Sequence, residues 1–361
     1  MSRVRDNPRP VEIPWNQTVK LSLEVAHGLE RFGEFGMMNL CHDMEDSVSF
    51  PLSDLAGPNW QTLIDQLYLK LKAEMQGNDG FVRRVKVARE AQRKADIQSA
   101  ISQFRGINDL TKLDVAIDQL ADKFLSINNS YSQELYYNHL PALGDGVLNA
   151  GKPEISRISS FLADPQASET GKDRVRALVA RVINESLSQA NKSNAGEAGE
   201  NLVRAILSAA GLTKDTHYRE QYKSKSGSDT DFVFPCVPDQ QDQKVELFMA
   251  VQMSSNDRAR LTASELKIGG KPFVFSGNGL KASKKKLKDI GAQIIESQKA
   301  NKVNLVCYGP ELKREIDRLK KAEKVTANDA KKKELRERRD YFENYTWSIA
   351  EFAEHVKKRF S

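Results

Sequence analysis

The fold turns on residues Glu246–Arg258, ELFMAVQMSSNDR. The stretch opens as a buried strand and closes as a polar, hydrogen-bonding loop. Side chains alternate along a strand, so positions 246, 248, 250 and 252 share one face. Val245–Met253 is the more apolar of two strands in sequence, and PDQQDQK (Pro238–Lys244) reads as the hairpin turn before it. The earlier strand is Asp231–Val237, DFVFPCV, which alternates apolar and polar positions.

Upstream, ENLVRAILSAAG (Glu200–Gly211) has the spacing of an amphipathic helix ended by a glycine cap. Ser188–Glu200, small and polar, is expected to be a loop leading into it. His217–Ser226 fits an edge strand and a basic loop, and Phe273–Phe275 a short extended piece. Leu280–Ala300 reads as a long basic helix and Val303–Tyr308 as the buried strand after it. Glu311–Arg339 is expected as one charged helix and Ser348–Phe360 as a last amphipathic helix. In front, Trp60–Gln76 places Leu63, Ile64, Leu67 and Leu71 on one helical stripe. Val85–Phe104, Leu113–Leu125 and Lys172–Leu187 repeat that period, with Phe161–Gly171 rich in turn residues. The fold class that follows is α/β, or mixed α+β. The expected divisions are a helical N-terminal region at 1–190, a core at 191–310 and a basic helical region at 311–361.

Composition narrows the function classes. The 361 residues carry 39% hydrophobic and 29% charged side chains, normal for a globular protein. The start, MSRVRDNPRPVEIPW, has charges and prolines where a signal peptide needs an apolar core, and no run of about 18 apolar residues exists. A membrane partner is therefore not expected. Cys41, Cys236 and Cys307 are odd in number and lack zinc-site spacing, which suits a reducing cytoplasm. The net charge of +6 is uneven: Lys281–Ser361 holds 22 Lys/Arg against 13 Asp/Glu, so the rest sums to −3. A basic C-terminal portion points to a polyanion or to a solvated lysine-rich helix face. His42 in CHDMED has no second metal-ligating cluster, and the glycine pairs at 144–146 and 277–279 lack the GK[ST] of a phosphate loop.

Three pieces in order carry a resemblance: Glu200 (or Glu197) at the core helix in AGENLVRAIL, Asp231 in SDTDFVF, and the LFMAVQ strand, with Ala250 nineteen residues after Asp231. In this order they resemble the PD-(D/E)XK nuclease superfamily, specifically its type II restriction endonucleases, over about Ala195–Tyr308. The resemblance implies a restriction-endonuclease-like core and Mg²⁺-dependent hydrolysis of double-stranded DNA by a homodimer or higher oligomer in a restriction-modification system. Mg²⁺ prefers oxygen ligands and lowers the pKa of a bound water while neutralising phosphate charge. Asp231 then takes the metal-ligand role, with the Val251 carbonyl in support. Glu200, position 250 and Gln252 complete the catalytic set.

Two positions depart from that pattern. Gln252 stands where Lys is usual; an amide orients a water but brings no positive charge. Ala250 stands where an acid is needed. Three explanations stay open: an introduced Glu→Ala or Asp→Ala change, transfer of the acid to Glu246 or Glu200, or a silent relative or chance match. Glu246 lies roughly 13 Å from position 250 along an extended strand, a poor substitute. Downstream, Ser254, Ser255, Asn256, Arg258 and Arg260 are expected to approach DNA bases, or else to form a helix-capping loop. Lys281, Lys284 and Lys285 suit phosphate contacts.

Overall fold

A computed structural model describes residues 50–76, 81–104, 107, 109–142, 153–252, 265–277, 290 and 292–361. In chain order the helices are α1 (Trp60–Gln76), α2 (Phe81–Phe104), α3 (Leu113–Ala142), α4 (Pro153–Ala163) and α5 (Glu169–Ala209). Strands β1 (Arg219–Lys223), β2 (Asp229–Phe234), β3 (Leu247–Gln252) and β4 (Lys271–Ser276) follow. The chain continues through α6 (Ala292–Ala300), β5 (Asn304–Cys307), α7 (Gly309–Val325), α8 (Asp329–Asn344), β6 (Thr346–Ser348) and α9 (Ile349–Phe360). The result is a mixed α/β protein. Among the described residues no helix is long and apolar enough to cross a membrane.

The chain divides into two compact units, residues 1–91 with 131–190, and residues 92–130 with 191–361. The described residues of the first are mainly helical. Leu67, Leu71 and Met75 of α1 bury against Ile155 and Ile158 of α4 and Val175, Val179 and Val182 of α5. Glu74 accepts hydrogen bonds from the backbone N–H groups of Glu154 and Ile155 at 3.0 and 2.9 Å. Its carboxylate thereby satisfies orphan donors at the start of α4, where negative charge also suits the helix dipole.

The second unit is a six-stranded sheet in the order β1-β2-β3-β4-β5-β6 between two helical layers. β1, β2 and β3 run antiparallel, whereas β4, β5 and β6 each join their predecessor in parallel. The pleat separates two cores. Phe232, Phe234, Leu247, Met249, Phe273 and Phe275 pack on one face with the second-unit parts of α3 and α5 and with α9. Val233, Phe248, Ala250, Val274, Leu305 and Cys307 pack on the other with α6, α7 and α8. Burial on both faces explains why these strands are nearly continuous apolar runs. Each fully buried Phe contributes about 1.5–3 kcal/mol from desolvation.

Several sequence expectations change. Residues 188–200 are not a loop: α5 runs through them without a break. Alanines interleave there, and Ala190 and Ala198 bury within the helix, so small polar neighbours do not stop it. Glu311–Arg339 is not one helix, because Thr326 ends α7 and Asn328 caps α8 by accepting from the Lys331 N–H at 2.9 Å. Phe273–Phe275 extends into the full strand β4. The basic segment at 280–291 lies outside the described residues except for Ile290, leaving α6 as the described helix of that stretch.

Candidate functional site

β2 and β3 carry the key positions to the same end of one sheet face. Phe232 lies opposite Met249 and Val233 opposite Phe248. Continuing this register by one residue sets Asp231 against Ala250. Asp231 shares the parity of Val233, and Gln252 that of Ala250, so all three belong to one face. The side chain of Asp231 bends to its neighbouring strand, where Oδ2 accepts the Val251 N–H at 2.6 Å. Val251 thus meets Asp231 through its amide hydrogen.

β1 brings the second carboxylate into reach. The pairs Glu220↔Phe232 and Tyr222↔Thr230 leave Gln221 directly opposite Asp231. Gln221 has φ +51°, a left-handed conformation that β-strand residues other than glycine rarely adopt. The turn it introduces breaks the alternation of β1. Glu220 faces Arg204 of α5, while Tyr222 joins the opposite core and donates to Asp242 at 2.8 Å. From this position the Gln221 amide donates to Glu200 Oε1 at 3.4 Å and Asp231 Oδ1 at 3.5 Å. Both bonds are long, so the amide bridges two carboxylates without holding either firmly.

Charge around this bridge is unevenly compensated. Arg204 donates to Glu200 Oε2 at 2.9 Å and to Glu220 at 2.9 and 3.2 Å, and Lys214 also reaches Glu220 at 2.9 Å. Burial works against ionised Glu220, yet Arg204 and Lys214 outweigh it and hold its carboxyl below the ordinary range. Among the described residues no cation pairs with Asp231. Burial first, and the charges of Glu200 and Glu265 next, push its carboxyl up to about 6 against the Val251 hydrogen bond.

Ala250 is 5% exposed and packs in the core that contains Val233, Phe248 and Val274. Gln252 Oε1 is buried without a hydrogen-bond partner among the described residues. Glu246 is held at the opposite end of β3 by Arg359 of α9, at 2.7 and 2.9 Å, which removes it as a replacement acid. Glu197 pairs with the buried Arg93. Ser254, Ser255, Asn256, Arg258 and Arg260, together with Lys281, Lys284 and Lys285, lie outside the described residues, as does His42. Gln221, Glu220 and Arg204 entered only through tertiary structure. The one advance signal was the i,i+4 spacing of Glu200 and Arg204.

Asp231 and Glu200 supply hard oxygen donors of the kind Mg²⁺ takes, and Ala250 supplies none. Among the described residues, the Asp231 carboxyl has no cationic partner and the buried Gln252 oxygen no hydrogen-bond partner, which is consistent with a cation there. No group of three His, Cys, Asp or Glu side chains able to share an ion occurs among the described residues. Comparison with family models, with curated proteins and with solved structures finds no match to the chain.

Proposed function

We propose that the chain is a nuclease of the PD-(D/E)XK type, a type II restriction endonuclease acting on double-stranded DNA as a homodimer or higher oligomer. The observation that carries this reading is the junction of Asp231 and Glu200 on the Gln221 amide. It lies beside positions 250 and 252, with Asp231 raised to about 6 by its surroundings. Asp231 and Glu200 would hold Mg²⁺, which supplies an activated water and charge neutralisation at the phosphate. Gln252 would orient the attacking water through its amide, and Asp231 would stay oriented by the Val251 N–H. Position 250 is where the set lacks an acid.

The test is Ala250→Glu in the full chain, assayed with Mg²⁺ on plasmids of mixed sequence. Discrete bands, lost on adding Asp231→Ala, are the expected result. A folded Ala250→Glu protein that leaves every plasmid intact would refute the proposal.

A second reading, a DNA-binding protein without catalysis, is favoured by the burial of Ala250 among apolar neighbours. It predicts salt-sensitive mobility shifts of duplex DNA and no cutting by either form of the protein.

A further inference from the structure

The second unit contains a cleft of about 770 Å³ that the phosphodiesterase reading does not use. It opens between the end of α2, the C-terminal part of α5 and the segment leading into β1. Ile101, Phe104, Ile107, Leu212 and Tyr218 contribute its apolar surface, and Asn201, Ser208 and Thr213 its neutral polar groups. The volume falls in the range of sites for compact organic ligands.

Charge narrows the ligand class. The two cations on the wall, Arg204 and Lys214, are both committed to Glu220, which is itself 6% exposed. Arg204 is further committed to Glu200. The cleft therefore offers compensated charge, poorly suited to capturing a phosphate by itself. Burial raises the Tyr218 hydroxyl to about 12, so it remains a protonated donor at neutral pH. The half-buried ring of Phe104, aliphatic walls and neutral donors and acceptors suit a flat, uncharged heteroaromatic ring, one face of which stacks while its edge hydrogen-bonds; the Tyr218 ring itself packs on Phe232 and Phe234.

We propose that this cleft binds a single unpaired nucleobase. The inference rests on the nucleic-acid reading above and extends it. Arg204 lines the cleft and grips Glu200, so base binding and the Glu200–Gln221–Asp231 bridge share one side chain.

The probe is 2-aminopurine, offered as the free deoxyriboside and within a single-stranded oligonucleotide, titrated with full-length protein in EDTA. A saturable fluorescence change is expected, weakened roughly tenfold by Phe104→Ala, which removes a stacking wall. Ala209→Trp, which fills the cleft, should weaken it similarly; if that variant melts early, Phe104→Ala decides. Saturation by the oligonucleotide alone supports the cleft and assigns it to a base within a strand. Saturation by the deoxyriboside supports it as a free nucleoside site. No saturable change with either probe, or undiminished binding by folded Phe104→Ala, overturns the proposal. Mg²⁺-dependent cutting by Ala250→Glu is scored separately. Cutting without probe binding removes the cleft alone, and probe binding without cutting removes the nuclease reading alone.

Discussion

Asp231→Asn should make the protein more stable at pH 8, even though it replaces the carboxylate at the centre of the candidate site. The carboxyl is raised from an ordinary 3.8 to about 6, chiefly by burial and then by Glu200 and Glu265. An acid whose folded pKa is raised binds its proton more tightly in the folded state. It therefore adds stability at low pH, and that stability is lost as pH climbs through about 6. At about 1.4 kcal/mol for each tenfold step in proton affinity, the penalty above pH 7 is at most ~3 kcal/mol. Asparagine does not ionise and can still accept from the Val251 N–H, so the variant should gain roughly 1–3 kcal/mol at pH 8 and almost nothing at pH 4. Urea unfolding followed by tryptophan fluorescence at the two pH values measures the difference. Glu200→Gln should shrink the gap by removing one repelling charge. If Asp231→Asn is less stable than the parent at pH 8, or the gap is the same at both pH values, the electrostatic account of the site is wrong.

Two further outcomes concern the scaffold. Asp114 of α3 is 8% exposed and accepts backbone N–H groups at the starts of two helices, Gly309 at 2.6 Å and Ala350 at 3.3 Å. Asp114→Ala leaves those donors unpaired and should lower the urea-derived stability by about 2–4 kcal/mol. Gly270 has φ +92°, and a Cβ there would lie 2.6 Å from the Val245 carbonyl oxygen and the Glu246 carbonyl carbon. Gly270→Ala should therefore cost about 2–4 kcal/mol, with calorimetry showing the loss as an early melting transition.

How much could be read in advance depended on whether local chemistry or tertiary contact decided each element. Trp60–Gln76 matched α1 to the residue because its apolar stripe and its boundaries are both local. The β2 and β3 strands were legible from their apolar runs, although each is shorter than expected at one end. The three-residue β6 escaped notice because its pairing with Leu305, Val306 and Cys307, and not its composition, makes it a strand. The unbroken course of α5 through 188–200 was hidden by residues that favour turns when isolated. At the site, Asp231, Glu200 and Gln252 were visible as residue types on identified elements. Gln221 was not, since nothing in HYREQYKSKS announces a left-handed residue opposite an aspartate. Ala250 as a core residue required knowing which face the pleat assigns to it.

The division of the chain has a practical consequence for anyone wishing to dissect it. The sheet-bearing unit takes residues 92–130 from upstream of the helical segment at 131–190, so the backbone passes between the units three times. A gene fragment beginning at residue 191 would encode all six described strands and yet omit Leu113, Ile117, Leu120 and Phe124 from one wall of the sheet. Such a fragment would expose that apolar face to water, inviting aggregation. Isolating the sheet-bearing unit calls for removal of residues 1–91 and 131–190 and the joining of residue 130 to residue 191, because no single cut leaves both cores whole.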